Sequence, residues 1–178
     1  MSLGKKVAGF STAHGRCDLM VQNPTNAIIN LGHSNGVVTM WSPNVKEPLV
    51  KMLCHKSALK SMAINSNGNY MVTSGLDHLL NIWDLRTYKQ LNSIKLKSGA
   101  TSLAFSQKNL IAASSRNEVE IYKDYLQTEN NYEDILYLNH KVKSTIQNVE
   151  FCPFEDVLGI GHTNGLSSIL VPGNVQLT

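Results

Sequence analysis

Gly32-His33-Ser34-Asn35-Gly36 has the G-x-S-x-G spacing of a nucleophile elbow, where a sharp strand-to-helix turn presents a serine hydroxyl for acyl transfer. That chemistry needs a helix after the turn. The next residues are Val37-Val38-Thr39-Met40-Trp41, a strand-forming run, and a later copy of the same turn carries Thr163 in place of the serine. The pentapeptide therefore reads as a turn between two strands, its glycine at a left-handed backbone position. Cys54-His55 joins two metal-ligand types, but zinc takes four ligands at defined spacing and no second pair exists. A small buried thiol beside a structural histidine is the expected role. No G-x-x-x-x-G-K phosphate loop occurs. Asp124, Glu129, Glu133 and Asp134 cluster in one stretch, expected to be a solvated loop or a contact for a basic partner rather than an acid–base pair. No catalytic residue, metal or cofactor is expected, and no small-molecule substrate.

The elements that hold these residues must come from 178 residues, 42% of them hydrophobic and 16% charged, which suits one globular core. No apolar run approaches the roughly 18–20 residues of a membrane span, so no membrane partner is expected. Val7 to His14, after Lys5-Lys6, is too short and polar for a signal segment. Cys17, Cys54 and Cys152 lie far apart and form no disulfide framework, which points to a reducing compartment, cytosol or nucleus. The net charge of +3 is compatible with nucleic acid without requiring it.

The chain repeats itself. Met20 to Trp41 overlies Met62 to Trp83 without a gap, a third copy runs from Leu103 to Tyr122, and a fourth from Val149 to Leu170. Leu31-Gly32-His33-Ser34-Asn35-Gly36 returns as Ile160-Gly161-His162-Thr163-Asn164-Gly165. Each copy splits into short apolar runs, in the second copy Leu59–Ile64, Tyr70–Ser74, Leu79–Trp83 and Gln90–Leu96, punctuated by Gly, Asn and Asp. Four strands at a period of about 40–45 residues predict an all-β propeller blade. The copies are expected at about 17–53, 59–96, 100–138 and 145–171, with Asp124 to Asp134 inserted between the last two strands of the third.

The second copy resembles a WD repeat: His55 precedes the first strand, Asp77 lies in a turn, and Ile82-Trp83-Asp84 closes the third strand. In that family such residues form a buried hydrogen-bonded set, which the resemblance places at His55, Thr73 or Ser74, Asp77 and Trp83. The other copies are degenerate, with His14, Asn35 and Trp41 in the first, Arg116 and Tyr122 in the third, and His140, Asn164 and Leu170 in the fourth. Val7-Ala8-Gly9-Phe10 is expected to be the last strand of a preceding blade, and the fourth copy to stop after its third strand. WD propellers usually close with seven blades. The expectation is thus an incomplete WD-repeat β-propeller over 1–173, about three full blades plus parts of two more, followed by a truncated tail at 174–178. Leu19, Met62, Leu103 and Val149, on the first strands, would face an unfilled centre.

A propeller sends the connections between second and third strands, and between blades, to one face. All six histidines are expected there, together with Arg16, Lys56, Lys60, Lys97, Arg116, Lys141 and Lys143, with Asp77 the main acid. The opposite face would collect Glu47, Asp84, Asp124, Glu129, Glu133, Asp134, Glu155 and Asp156 among Lys46, Arg86, Lys89, Lys108 and Lys123. Arg16, Lys56, Lys97, Arg116, Lys141 and Lys143 form a candidate face for RNA phosphates or an acidic protein segment. Few aromatics sit there, so base stacking is not expected.

Longer tracts narrow the family. His14-Gly15-Arg16-Cys17-Asp18, Leu31 to Gly36, Trp41-Ser42-Pro43 with Lys46 to Lys51, Thr73 to Asp77, Phe151 to Gly159, and Gly161-His162-Thr163 with Leu170 to Gly173 resemble the U-three small nucleolar RNA-associated protein seven family, a nucleolar WD-repeat subunit of the small-subunit processome. The resemblance covers about residues 4–173 and corresponds to the C-terminal part of that propeller. It implies a non-enzymatic scaffold in the nucleolus, supporting maturation of small-subunit ribosomal RNA. Its implied partners are other processome proteins, with precursor ribosomal RNA or small nucleolar RNA as candidate ligands. The alternative is a generic WD-repeat adaptor in another complex, such as a ubiquitin-ligase receptor.

Overall fold

The computed structural model describes Gly4, Gly9, residues 11–123, 125–126, 135–155 and 157–172. Val7, Ala8, Phe10, Asp124, Glu129, Glu133, Asp134, Asp156 and the 174–178 tail lie outside the described residues, and with them the expected leading strand and most of the acidic insertion.

Four antiparallel sheets succeed one another along the chain. The first holds β1 (Cys17–Gln22), β2 (Ile29–His33), β3 (Val37–Trp41) and β4 (Val50–Leu53). The second holds β5 (Leu59–Ile64), β6 (Tyr70–Gly75), β7 (Leu79–Asp84) and β8 (Lys89–Lys95). The third holds β9 (Ser102–Phe105), β10 (Ile111–Ser115), β11 (Glu118–Tyr122) and β12 (Leu136–Lys141). The fourth holds β13 (Ile146–Phe151), β14 (Val157–His162) and β15 (Gly165–Leu170). Each strand pairs with its sequence neighbour, and β1, β5, β9 and β13 lie side by side, so the sheets are blades arranged as a propeller.

Apolar cores lie between the blades. Val38, Met40 and Met52 of the first pack on Met62, Met71 and Trp83 of the second. Val72, Leu80 and Ile82 pack on Leu103, Ile111 and Tyr122 of the third. Ala112, Val119 and Ile121 pack on Val149, Leu158 and Ile160 of the fourth. The first strands line a central cavity, which Met62, Leu103 and Val149 border as expected, joined by Met20, but of these only Met20 is exposed. Met62, Leu103 and Val149 are buried in these interfaces, and Leu19 packs against the first. A strand points its side chains out of its sheet, towards the neighbouring blades, and presents mainly its backbone edge to the axis.

Hydrogen bonds fix which connections share a face. The Gly36 carbonyl, in the β2–β3 turn, accepts the N–H groups of Cys54 and His55 from the link between blades. His78 and Asn117 accept Leu96 and Val142 in the same way. On the other face Asn23 Nδ2 donates to the Gly68 carbonyl, and the Phe154 N–H donates to Gln107 Oε1. Neighbouring blades are thus clasped at both ends.

Two details depart from the pattern of the repeats. β12 runs to Lys141, so His140 and Lys141 are strand residues rather than part of the inter-blade link. In the fourth blade the residue facing Leu158 is Ile169, where the first two blades set Trp41 opposite Ile29 and Trp83 opposite Met71. Leu170, expected in the tryptophan position, is displaced by one residue and is exposed. The cause is a tighter turn, in which His162 pairs directly with Gly165, a glycine at φ 129°.

Candidate functional site

The polar set of the second blade is assembled by strand pairing. Thr73 lies on β6 opposite Asn81 of β7, and Met71 opposite Trp83, so the Thr73 hydroxyl and the indole share one buried side of the blade. His55 reaches them from the inter-blade link. Its Nδ1 is 2.9 Å from Asp77 Oδ2 and its Nε2 is 2.9 Å from Thr73 Oγ1. Trp83 Nε1 donates to the same Thr73 oxygen at 3.0 Å. When His55 Nδ1–H donates to Asp77, Nε2 accepts the Thr73 O–H and the hydroxyl oxygen accepts the indole N–H, so the imidazole, the hydroxyl and the indole are all paired. Ser74 does not join this set. It points to the other face of β6, where its hydroxyl accepts the Ala100 N–H of the next blade at 3.1 Å.

An Asp–His–Thr series has the order of a nucleophilic triad. Here Thr73 has no exposed surface and its oxygen is engaged by Trp83, so no carbonyl substrate can reach it. Ser34 is exposed in a turn that leads into β3, and Gly36 has φ 82°. Burial pushes the Cys54 thiol up to about 12. No group of three or more metal-ligating side chains occurs among the described residues.

The first blade solves the same problem differently. Trp41 Nε1 donates to Thr39 Oγ1 at 2.8 Å, and His33 Nε2 lies 2.8 Å from that oxygen. The histidine is His33, at the end of β2, rather than His14. His14 instead stands edge-on to the His33 ring at 6.0 Å. Burial holds the His33 pKa below its usual value, a backbone contact to Gly15 opposes that shift, and His14 adds to it. Asn35 caps its own turn by accepting the Val37 N–H.

On the histidine-bearing face, Arg16, Lys56, Lys97, Arg116, Lys141 and Lys143 are all exposed. Their acids differ from expectation. Arg16 pairs with Asp18 at 2.6 Å, Lys141 with Glu118 at 3.0 Å and Lys97 with Glu120 at 3.9 Å. Asp77, expected to be the main acid, is one of four. The other three are strand residues, whose side depends on a pleat that charge counting along loops does not capture. Lys56, Arg116 and Lys143 make no ion pair among the described residues. On the opposite face Arg86 pairs with Asp84 at 3.0 Å and stacks over Tyr70 at 5.8 Å. Its hydrogen bond holds the Asp84 carboxyl below the usual range.

Four blades, the second of which carries a His–Asp–Thr–Trp set, define a WD-repeat β-propeller. Residues 46–84 match the WD domain, G-beta repeat, a span that carries the whole of that set, and residues 136–176 match the BING4CT (NUC141) domain. The chain is homologous to WD repeat-containing protein 46 and to U3 small nucleolar RNA-associated protein 7. It is 49% identical to the former from Homo sapiens over 174 residues, 97% of this chain and 28% of the relative. It is 38% identical to the latter from Saccharomyces cerevisiae over 187 residues, 97% of this chain and 34% of the relative. The chain thus spans between 28% and 34% of the length of these relatives. Among solved structures, U3-55K superposes with a TM-score of 0.73 at 16% identity, over 86% of this chain and 48% of that one. The computationally designed Ika4 protein superposes with a TM-score of 0.73 at 18% identity, over 95% and 99%. Those two likenesses carry the fold alone.

Proposed function

We propose that this propeller is part of a non-enzymatic scaffold of the small-subunit processome, acting in the nucleolus in the maturation of small-subunit ribosomal RNA. The observation that carries this reading is 38% identity, across 97% of the chain, to a protein named for its association with U3 small nucleolar RNA. The side chains support it: the one Asp–His–Thr series described is sealed in a blade, where it stabilises and cannot turn over a substrate. The partners are other processome proteins, held on the rigid faces of the blades. The face bearing Arg16, Lys56, Lys97, Arg116, Lys141 and Lys143 meets an anionic partner.

The test is affinity purification of the full-length protein from nuclear extract. Recovery of precursor small-subunit ribosomal RNA with processome proteins supports the proposal. Recovery of ubiquitin-ligase subunits without that RNA assigns the chain to the adaptors instead.

A further inference from the structure

Arg16, Lys56, Lys97, Arg116, Lys141 and Lys143 are not equivalent. Arg16, Lys97 and Lys141 are each within ion-pair distance of a carboxylate. Lys56 lines a cleft together with Asp77. Arg116 and Lys143 have no acidic partner among the described residues. Both belong to the junction of the third and fourth blades. Arg116 lies in the β10–β11 turn and Lys143 in the link from β12 to β13.

That junction is tied together by its backbone. The Asn117 carbonyl accepts the Val142 N–H at 2.8 Å, the Arg116 carbonyl accepts the Ile146 N–H, and the Thr145 carbonyl accepts the Thr163 N–H at 3.1 Å. Arg116 sits at φ 41°, a left-handed conformation that side chains rarely adopt. The two cations are therefore presented from connections already locked to each other, without a flexible stem of loop to order on binding. The connections 116–117, 142–145 and 163–164 contain no acid and no aromatic residue, and their other side chains are mainly Asn, Ser and Thr.

We infer that this junction, centred on Arg116 and Lys143, binds the phosphate backbone of RNA. The inference rests on the ribonucleoprotein reading above and names the ligand of one part of its face. Arg, Lys, Ser, Thr and Asn are the side chains that contact phosphate and sugar without reading bases. A docking site for an acidic protein segment would need an exposed apolar or aromatic anchor at its centre; the one apolar residue of these connections, Val142, is half-buried against the core between the third and fourth blades.

The test uses the full-length protein and a fluorescent oligouridine of about 16 nucleotides, long enough for a single-strand groove. R116E/K143E is expected to weaken binding more than about tenfold and to lower the salt slope by about 1.4, two phosphate contacts on single-stranded RNA. The paired cations, changed in K97Q/K141Q, should alter affinity by less than about twofold, because each already faces a carboxylate. R116Q/K143Q, which introduces no acid, should show the same direction with a smaller loss and serves if the reversal fails to fold. Ultraviolet crosslinks to the oligouridine should map to peptides containing Arg116 or Lys143. Equal loss in the two variant pairs, or crosslinks only elsewhere, would overturn the inference. So would tighter binding of a labelled oligoglutamate than of oligouridine, abolished by R116Q/K143Q, which would assign the patch to an acidic protein. Purification of the wild-type protein without precursor RNA would count against the scaffold reading alone, because the oligouridine measurement does not depend on it.

Discussion

Thr39 and Thr73 each accept a tryptophan N–H and contact a histidine, yet they occupy different strands of their blades. Thr73 lies on β6, paired with Asn81 across the ladder. In the first blade Leu31 holds the place of Thr73, and Thr39, paired with Leu31, supplies the hydroxyl from β3. The hydroxyl has crossed the ladder and the histidine that contacts it has changed with it, from the inter-blade link to the end of β2. What the blade conserves physically is a satisfied indole N–H in a dry interior.

Replacing either threonine by valine keeps the volume and removes the hydroxyl that accepts each indole N–H. Thr73→Val should destabilise by about 1–3 kcal/mol, as should Thr39→Val, while Thr73→Ser should cost less. Thermal midpoints check this, at about 2–4 °C per kcal/mol for a chain of this size.

Gly36 and Gly165 end nearly identical hexapeptides, but alanine should separate them. A Cβ on Gly36 would run into the His55 carbonyl, a backbone atom that cannot move aside, at φ 82°. A Cβ on Gly165, at φ 129°, would meet nothing within 4 Å. Gly165→Ala should show only the conformational penalty of a positive φ, of about 1–3 kcal/mol. Gly36→Ala should be clearly worse, by denaturant midpoint or by loss of soluble protein.

The three cysteines should divide by burial. Cys17 and Cys152 are exposed, and Cys54 is buried with its thiol pushed up to about 12. Brief alkylation at about pH 8 should label Cys17 and Cys152, with Cys54 labelled only after unfolding. Labelling of native Cys54 at the rate of the other two would contradict the packing of the first and second blades.

His33 gives the fold a pH dependence of definite sign. Its folded pKa is depressed, chiefly by burial, so the folded state holds the neutral ring. Its contribution to stability is complete above the unfolded value of about 6.5 and is lost as pH falls through the lower folded value. The thermal midpoint should therefore decline from about pH 7.5 to about pH 5 and decline less in His33→Asn. An equal decline in both would remove His33 as the cause.

Much of this was legible in the chain because the repeat supplies its own alignment. The strands of the second copy are found within a residue or two of their expected ends, and the contacts of His55 with Asp77 and Thr73 are of the kind the resemblance to a WD repeat implies. Thr73 and Ser74 could not be told apart, since adjacent strand residues face opposite ways and the sequence does not say which side is which. The exchange of Thr73 for Thr39 was hidden because an alignment compares positions along the chain, whereas the hydroxyl moved across a ladder. The slip of β15 was hidden for a related reason: one residue fewer in a turn shifts every later side chain, and Leu170 gives way to Ile169. The ion pairs of Asp18, Glu118 and Glu120 are not legible from loop composition, because the direction of a strand side chain is set by the pleat.

Pulse-labelling of ribosomal RNA after acute depletion of the full-length protein is the most direct measurement of the scaffold role proposed for this propeller in small-subunit ribosome assembly. A selective fall in new small-subunit ribosomal RNA is expected, restored by wild-type protein and by a Ser34→Ala variant, which removes the exposed elbow serine, but not by Gly36→Ala, in which the added Cβ collides with the His55 carbonyl. Undiminished small-subunit ribosomal RNA after depletion, or rescue that requires the Ser34 hydroxyl, would contradict it.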